Sequence, residues 1–321
     1  MVTEAELLAA VFADPEVDAP RLVYADWLQE RGDPRGAFIA AQCAHGRAEA
    51  APLEHEAAWL GELAELLDPE WRRTRTRFQR GFLSHACLRR DLSAPRHRAL
   101  AQHPAWSTLV AVDGDVRAIL RPGLTALRRV GWGLDPEDFS AICALPYALG
   151  IERVHVAPGW TPALELAVAR AEAPVFQRLR SIDLRFEQDR CAWFLESRLI
   201  DRVREVVAWR PKGRVGELPL SEWMEAMLAH ENLEDVHFSG PSLHRRGEER
   251  VLRIPIDVGE DWHDALGVVP DALARAFAIE PFAADPPRWQ RAAALLAERH
   301  PAFHHRPLTQ SGPSEPVRRD D

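Results

Sequence analysis

Apolar positions in the first part of the chain recur at helical spacing. Leu7, Leu8, Val11 and Phe12 fall on one stripe. Thr3 and Glu6 form a capping box ahead of them, the hydroxyl and carboxylate each serving an orphan backbone N–H, and Asp14-Pro15 ends the run. A second helix is predicted from near Asp18 and Pro20, carrying Leu22, Val23, Trp27 and Leu28 on one face, with Gly32 as its C′ residue. Asp33-Pro34 reads as N-cap and first residue of a third, short helix holding Phe38 and Ile39. A fourth, Leu53 to Leu67, is amphipathic through Leu53, Ala57, Leu60, Leu63, Leu66 and Leu67.

Beyond position 80 the pattern changes to apolar-x-x-apolar-x-apolar, repeated in series. The triplets are Leu83-Ala86-Leu88, Trp106-Leu109-Ala111, Leu127-Val130-Trp132, Ile151-Val154-Val156 and Leu179-Ile182-Leu184. They continue as Val203-Val206-Ala208, Leu233-Val236-Phe238 and Val251-Ile254-Ile256. One short apolar triplet arises easily by chance. A series spaced about two dozen residues apart lies within the ~20–29 residue period of leucine-rich repeats.

Segments between the triplets are amphipathic and capped: Asp135 to Leu145, Thr161 to Ala171 and Leu220 to Leu228. Short strands alternating with such helices imply an α/β fold with a parallel sheet, because no single repeat can bury its own apolar face. The expected architecture is a leucine-rich-repeat-like solenoid, its parallel sheet on the concave side, capped by an N-terminal helical domain and C-terminal helices. Domains are expected at 1–79 (helical), 80–260 (repeat array), 261–305 (capping helices, through Trp262–Phe277 and Pro287–Arg299) and 306–321 (a polar, Pro-rich disordered tail). The array departs from the usual motif in lacking the Asn or Cys that ties each turn. Its turns must be held differently, for instance by Gly and Pro at Gly131–Leu134, Ala157–Trp160 and Arg210–Gly213.

The string from Asp18 to Ile39, with Tyr24–Leu28 (Y-A-D-W-L) and the following G-D-P-R-G, resembles the bacterial repeat-companion domain, a short helical module found N-terminal to leucine-rich-repeat-like arrays. The resemblance covers roughly the first forty residues. It implies a partner array downstream and no catalytic activity. Tyr24, Asp26 and Trp27 admit a binding role, but the simpler reading makes Trp27 core and has Asp26 bond to a neighbouring backbone group or arginine.

Composition bounds the function. A net charge of −9 argues against a protein that coats nucleic acid or an anionic membrane. The acidic start lacks a signal-peptide pattern, no stretch is apolar enough to span a membrane, and the dispersed Cys43, Cys87, Cys143 and Cys191 form no C-x-x-C pair. A soluble cytoplasmic protein is therefore expected; the single lysine (Lys212) and single asparagine (Asn232) read as the mark of a GC-rich genome, and the repeat-companion resemblance implies a bacterial one. Phosphate-loop, dinucleotide, nucleophile-elbow and zinc-helix motifs are absent, so no catalytic residue, cofactor or metal is assigned. His300, His304 and His305 have metal-ligand spacing but sit beside Pro301. Asp257, Glu260, Asp261, His263 and Asp264 read as a solvated helix start.

Two candidate surfaces remain. Arg72, Arg73, Arg75, Arg77 and Arg80, with Trp71 and Phe78 beside them, could form an anion- or RNA-binding stripe. The alternative is that these arginines pair with the protein's own carboxylates. On the strands, period-two alternation turns His85, Arg89, Arg129, Arg153, His155, Asp183, Arg185, Glu205, Trp209, Asp235 and His237 away from the core. Such residues anchor interfaces, although neighbouring charges also pair across strands. The leading expectation is a scaffold that binds another protein on the concave face. RNA binding through 72–80 is the alternative.

Overall fold

The computed structural model describes residues 2–72, 76–90, 92, 94–131, 141–156, 174, 177–185, 200–209, 227, 229–238, 242–246, 249–255 and 278–282. The fold is mixed α/β, a helical N-terminal region followed by mostly parallel β-structure. Two compact units divide the chain, Met1–Val203 and Arg204–Asp321. Among the described residues no helix is long and apolar enough to cross a membrane.

Helix α1 (Glu4–Ala13) starts with the expected capping box: the Glu6 N–H donates to Thr3 Oγ1 at 3.3 Å, and the Thr3 N–H donates to Glu6 Oε2 at 2.8 Å. Helix α2 (Asp18–Gln29) turns a different face inward from the one its apolar residues predict. Arg21, Tyr24, Ala25 and Leu28 are buried, whereas Leu22 and Val23 are 41% and 55% exposed. The i, i+3, i+4, i+7 set wins because the Arg21 stem packs while its guanidinium donates to the Pro15 and Arg80 carbonyls. Trp27 is half-buried, stacked on Tyr24 and beneath the Arg31 guanidinium, and Asp26 is exposed. In α3 (Pro34–His45) the Arg35 N–H donates to Asp33 Oδ1 at 2.8 Å, the cap expected of Asp-Pro. The single helix expected over 53–67 is two pieces. Helix α4 (Leu53–Leu60) stops at Gly61, whose φ of 51° suits glycine, and a 3-10 segment, Gly61–Leu66, buries Leu63 and Leu66.

In the first unit β1 (Arg77–Gln79) and β2 (Phe82–Leu88) form an antiparallel hairpin. Strands β3 (Ala111–Gly114), β4 (Arg129–Val130), β5 (Arg153–Val156) and β6 (Ser181–Arg185) follow, each parallel to the one before. Their register aligns Ala86, Val112, Val130, Val154 and Ile182 in one buried apolar row. The second triplet is thereby corrected. Trp106 lies in a 3-10 segment, Pro104–Thr108, and Val112, not Ala111, faces the core. A triplet read from Leu109 restores the register; reading it from Trp106 slips the strand by an odd number of positions and inverts its faces.

The helical region is built onto this sheet. Phe82 of β2 joins Leu7, Val11, Tyr24, Ala25, Leu28 and Ile39 in one cluster, so the packing crosses the boundary expected at residue 79. Arg35 donates to the Gly81 carbonyl, and Thr108 Oγ1 donates to the Leu83 carbonyl at 2.7 Å.

In the second unit β7 (Glu205–Trp209) and β8 (Asp235–Phe238) are parallel. Strand β9 (Ser242–Arg246) then runs antiparallel to both β8 and β10 (Glu249–Pro255), and β11 (Ala278–Phe282) is parallel to β10. The last triplet was expected to continue the parallel series; instead its strand returns in a hairpin. The few residues between β8 and β9, and between β9 and β10, are too short for a crossover. The helices expected at 161–171, 262–277 and 287–299, the tail, the histidines at 300–305 and the acidic group at 257–264 lie outside the described residues.

Candidate partner-binding face

Opposite the apolar row, alternation gives the sheet of the first unit a polar face. Strand pairing arranges it in two rows running across the strands. One row contains Arg77, His85, Ala111, Arg129, Arg153 and Ser181. The next contains Cys87 and Asp113, then the Gly131 position, then His155 and Asp183. Arg77, His85, Arg129, Arg153 and Asp183 are half-buried.

The second row is closed more tightly than a binding surface read from alternation would be. His155 is buried, 3% exposed, contrary to the expectation that it faces solvent, and Asp113 is also buried. The cause is lateral packing. His155 Nδ1 lies 3.6 Å from Asp183 Oδ2, and a Cβ placed on Gly131 would come within 2.6 Å of Asp113 Oδ1 and 3.6 Å of His155 Cβ. Asp113 thus occupies the space that glycine leaves open, and the row is a carboxylate–imidazole–carboxylate series across β3, β5 and β6. In the first row Arg153 Nε donates to Ser181 Oγ at 3.0 Å, and the Ser84 hydroxyl and His85 Nδ1 are 2.9 Å apart.

Arg89 is exposed just past β2, its N–H bonded to the Leu66 carbonyl, and Arg185 ends β6. In the second unit Glu205 and Asp235 are register partners, and His244 of β9 pairs with Asp235 in the antiparallel ladder, Nδ1 to Oδ1 at 2.7 Å. The His237 and His244 rings are 5.4 Å apart, and Trp209 ends β7. Among the described residues no group of His, Cys, Asp and Glu is arranged to hold a metal ion.

The arginine-rich segment does not form a single stripe among its described members. Arg72 pairs with Glu56 at 3.1 Å, and Arg80 donates to the Glu16 carbonyl at 2.6 Å and to Asp18 at 3.2 Å. Arg77 joins the first row of the sheet face. Arg73 and Arg75 lie outside the described residues.

Sequence reasoning missed Asp113, Gly131, Ser181 and His244. Asp113 and Ser181 were recoverable, one by starting the second triplet at Leu109 and the other by extending the alternation one step before Ile182. Gly131 and His244 needed the pairing itself. In the helical cluster, burial pushes the Tyr24 phenol far above its ordinary range, with its hydrogen bond to Glu4 adding to the effect. Desolvation and the nearby Arg80 charge lower Arg21 to about 10. No family model, curated protein or solved structure matches the chain.

Proposed function

We propose that this protein is a non-catalytic interaction module of the cytoplasm. In this reading a repeat-companion-type helical domain caps a leucine-rich-repeat-like solenoid that binds another protein through its polar sheet face. The observation that carries the reading is the register: one backbone ladder buries Ala86, Val112, Val130, Val154 and Ile182 on one side and lines up Arg77, His85, Arg129 and Arg153 on the other. A rigid sheet that presents arginines and an imidazole in fixed rows offers preorganised anchors, which limits the ordering cost of binding. The inward pairing of Arg72 and Arg80 favours this reading over RNA binding through 72–80.

The test places a photo-crosslinking residue at position 129 in the full chain, identifies the captured protein, and measures its affinity by calorimetry after purification. Arg153→Ala should weaken binding by about 2 kcal/mol with the thermal midpoint unchanged, while Arg96→Ala, an exposed arginine paired with Glu65, should not. Equal effects of both substitutions would place the binding surface elsewhere.

A further inference from the structure

The first row of the sheet face carries one sign of charge. Arg77 stands opposite His85 across the hairpin; then come Ala111, Arg129, Arg153 and Ser181, one residue per strand. No carboxylate belongs to this row. Strands about 4.8 Å apart make it roughly 24 Å long, perpendicular to the strands. Arg129 directly opposite Arg153 is a like-charge pair, an arrangement that costs stability in a sheet. A cationic row is also opposite in sign to the protein, whose net charge is −9. Local charge against the net sign, held on a rigid ladder despite its cost, is the pattern of a recognition strip.

From this we infer that the row receives an acidic peptide segment of the partner protein, extended across the strands. The inference rests on the protein-binding reading above and names the chemistry of the partner. In an extended peptide, alternate side chains lie about 6.6 Å apart, so two carboxylates two positions apart fall within reach of Arg129 and Arg153 on adjacent strands about 4.8 Å apart, and one further along reaches Arg77, three strands from Arg129. Each arginine offers a planar fork matched to a carboxylate. The next row decides against nucleic acid. The half-buried Asp183 lies two residues beyond Ser181 along β6, about 6.6 Å away, and opposes a phosphate backbone broader than one row. A single extended peptide keeps within the width available.

The experiment uses the full chain and a fluorescein-labelled twelve-residue peptide of alternating glutamate and serine, read by anisotropy. Binding should be saturable, weaken with added salt, and fall about tenfold or more in the Arg129→Gln/Arg153→Gln double variant. Arg96→Gln should leave it within about twofold. Arg129→Lys, which keeps the charge but loses the planar fork, should weaken binding less than the double variant does, and the single variant Arg129→Gln, with a loss of about threefold or more, keeps the test decisive if the double variant unfolds. The inference is overturned if the peptide does not bind, if all variants bind alike, or if a lysine–serine peptide competes equally. A single-stranded RNA that binds more tightly through the same arginines would assign the strip to nucleic acid. If the crosslinked partner depends on Arg153 while the acidic peptide fails, the binding face stands and only the partner's chemistry is wrong.

Discussion

The side-chain amide of Gln42 clamps the turn that ends at Gly81: its Oε1 accepts the Gly81 N–H at 2.8 Å, and its Nε2 donates to the Phe78 carbonyl at 2.9 Å. The turn needs the clamp. Arg80 and Gly81 both have positive φ, 52° and 78°, as a two-residue hairpin of the primed kind requires, and arginine is a poor residue for that position. Gln42 is buried, so water does not replace its bond to the Gly81 N–H when it is removed. Gln42→Leu should cost about 1–3 kcal/mol in urea denaturation, chiefly from the stranded Gly81 N–H, since the Phe78 carbonyl still accepts the Glu49 N–H at 2.8 Å. Gln42→Glu keeps the acceptor and loses the donor, so it too should destabilise, with an added penalty for a buried charge. A loss below about 0.5 kcal/mol for Gln42→Leu would show that the turn holds itself.

Asp113 and Gly131 are coupled by volume. A methyl group at position 131 meets the Asp113 carboxylate oxygen at 2.6 Å, too close for either to stay in place. Gly131→Ala should therefore destabilise by about 1–3 kcal/mol, the ordinary cost of overpacking. Combined with Asp113→Ala, the additional loss should shrink, giving a coupling of about 1 kcal/mol or more in a double-mutant cycle. Strict additivity would mean that the carboxylate moves aside freely.

These two contacts mark where the sequence was legible and where it was not. Of the apolar row from Ala86 to Ile182, all but Val112 was readable, because the side chains obey a period and the spacing obeys a repeat. Thr3–Glu6 and Asp33-Pro34 were readable because caps are local chemistry. The β1–β2 hairpin was not, since Arg-Gly is a weak turn signal and what makes the turn possible, Gln42, Asp18 and the Arg21 guanidinium, lies far away in the chain. The inward face of α2 was misread because a buried arginine and tyrosine count as polar in any pattern of apolar residues. On the polar face, alternation placed Arg129 and Arg153 but gave no sign of the lateral packing that buries His155.

Tyr24 supplies a pH dependence whose sign is fixed. Burial and the hydrogen bond to Glu4 raise its folded-state pKa above the unfolded value of about 10. The folded protein therefore holds the phenol proton more tightly. That contribution is fully present below about pH 10 and is lost as pH rises from there toward the folded value. Arg21, lowered to about 10 by burial, acts in the opposite sense above that pH, so the comparison with Tyr24→Phe is the readout. The decline of stability above pH 10 should be shallower in Tyr24→Phe. Phenolate absorbance in Tyr147→Phe, which leaves Tyr24 as the only tyrosine of two, should rise together with unfolding. A Tyr24 titration near pH 10 in protein that stays folded would refute this.

Phe82 joins the N-terminal helices to the sheet, and its removal should be felt by both. The ring comes from β2, yet it packs edge-on against Phe12 with centroids 6.1 Å apart, lies 6.0 Å from Tyr24, and has the Arg21 and Arg35 guanidinium carbons at 4.8 and 5.0 Å. Truncating it opens a cavity between the helices and β2, at about 3–5 kcal/mol. The two arginines also lose the aromatic face they lie against. Phe82→Ala should therefore lower hydrogen-exchange protection in α2 and in β3 together, by similar amounts. By the same reasoning a chain beginning at Arg80 uncovers Phe82 and the β2 edge, and should be markedly less soluble than the whole protein. Should the shortened chain prove as stable and soluble as the intact one, or should protection fall in the helices alone, the helical region would be an independent domain and not a cap.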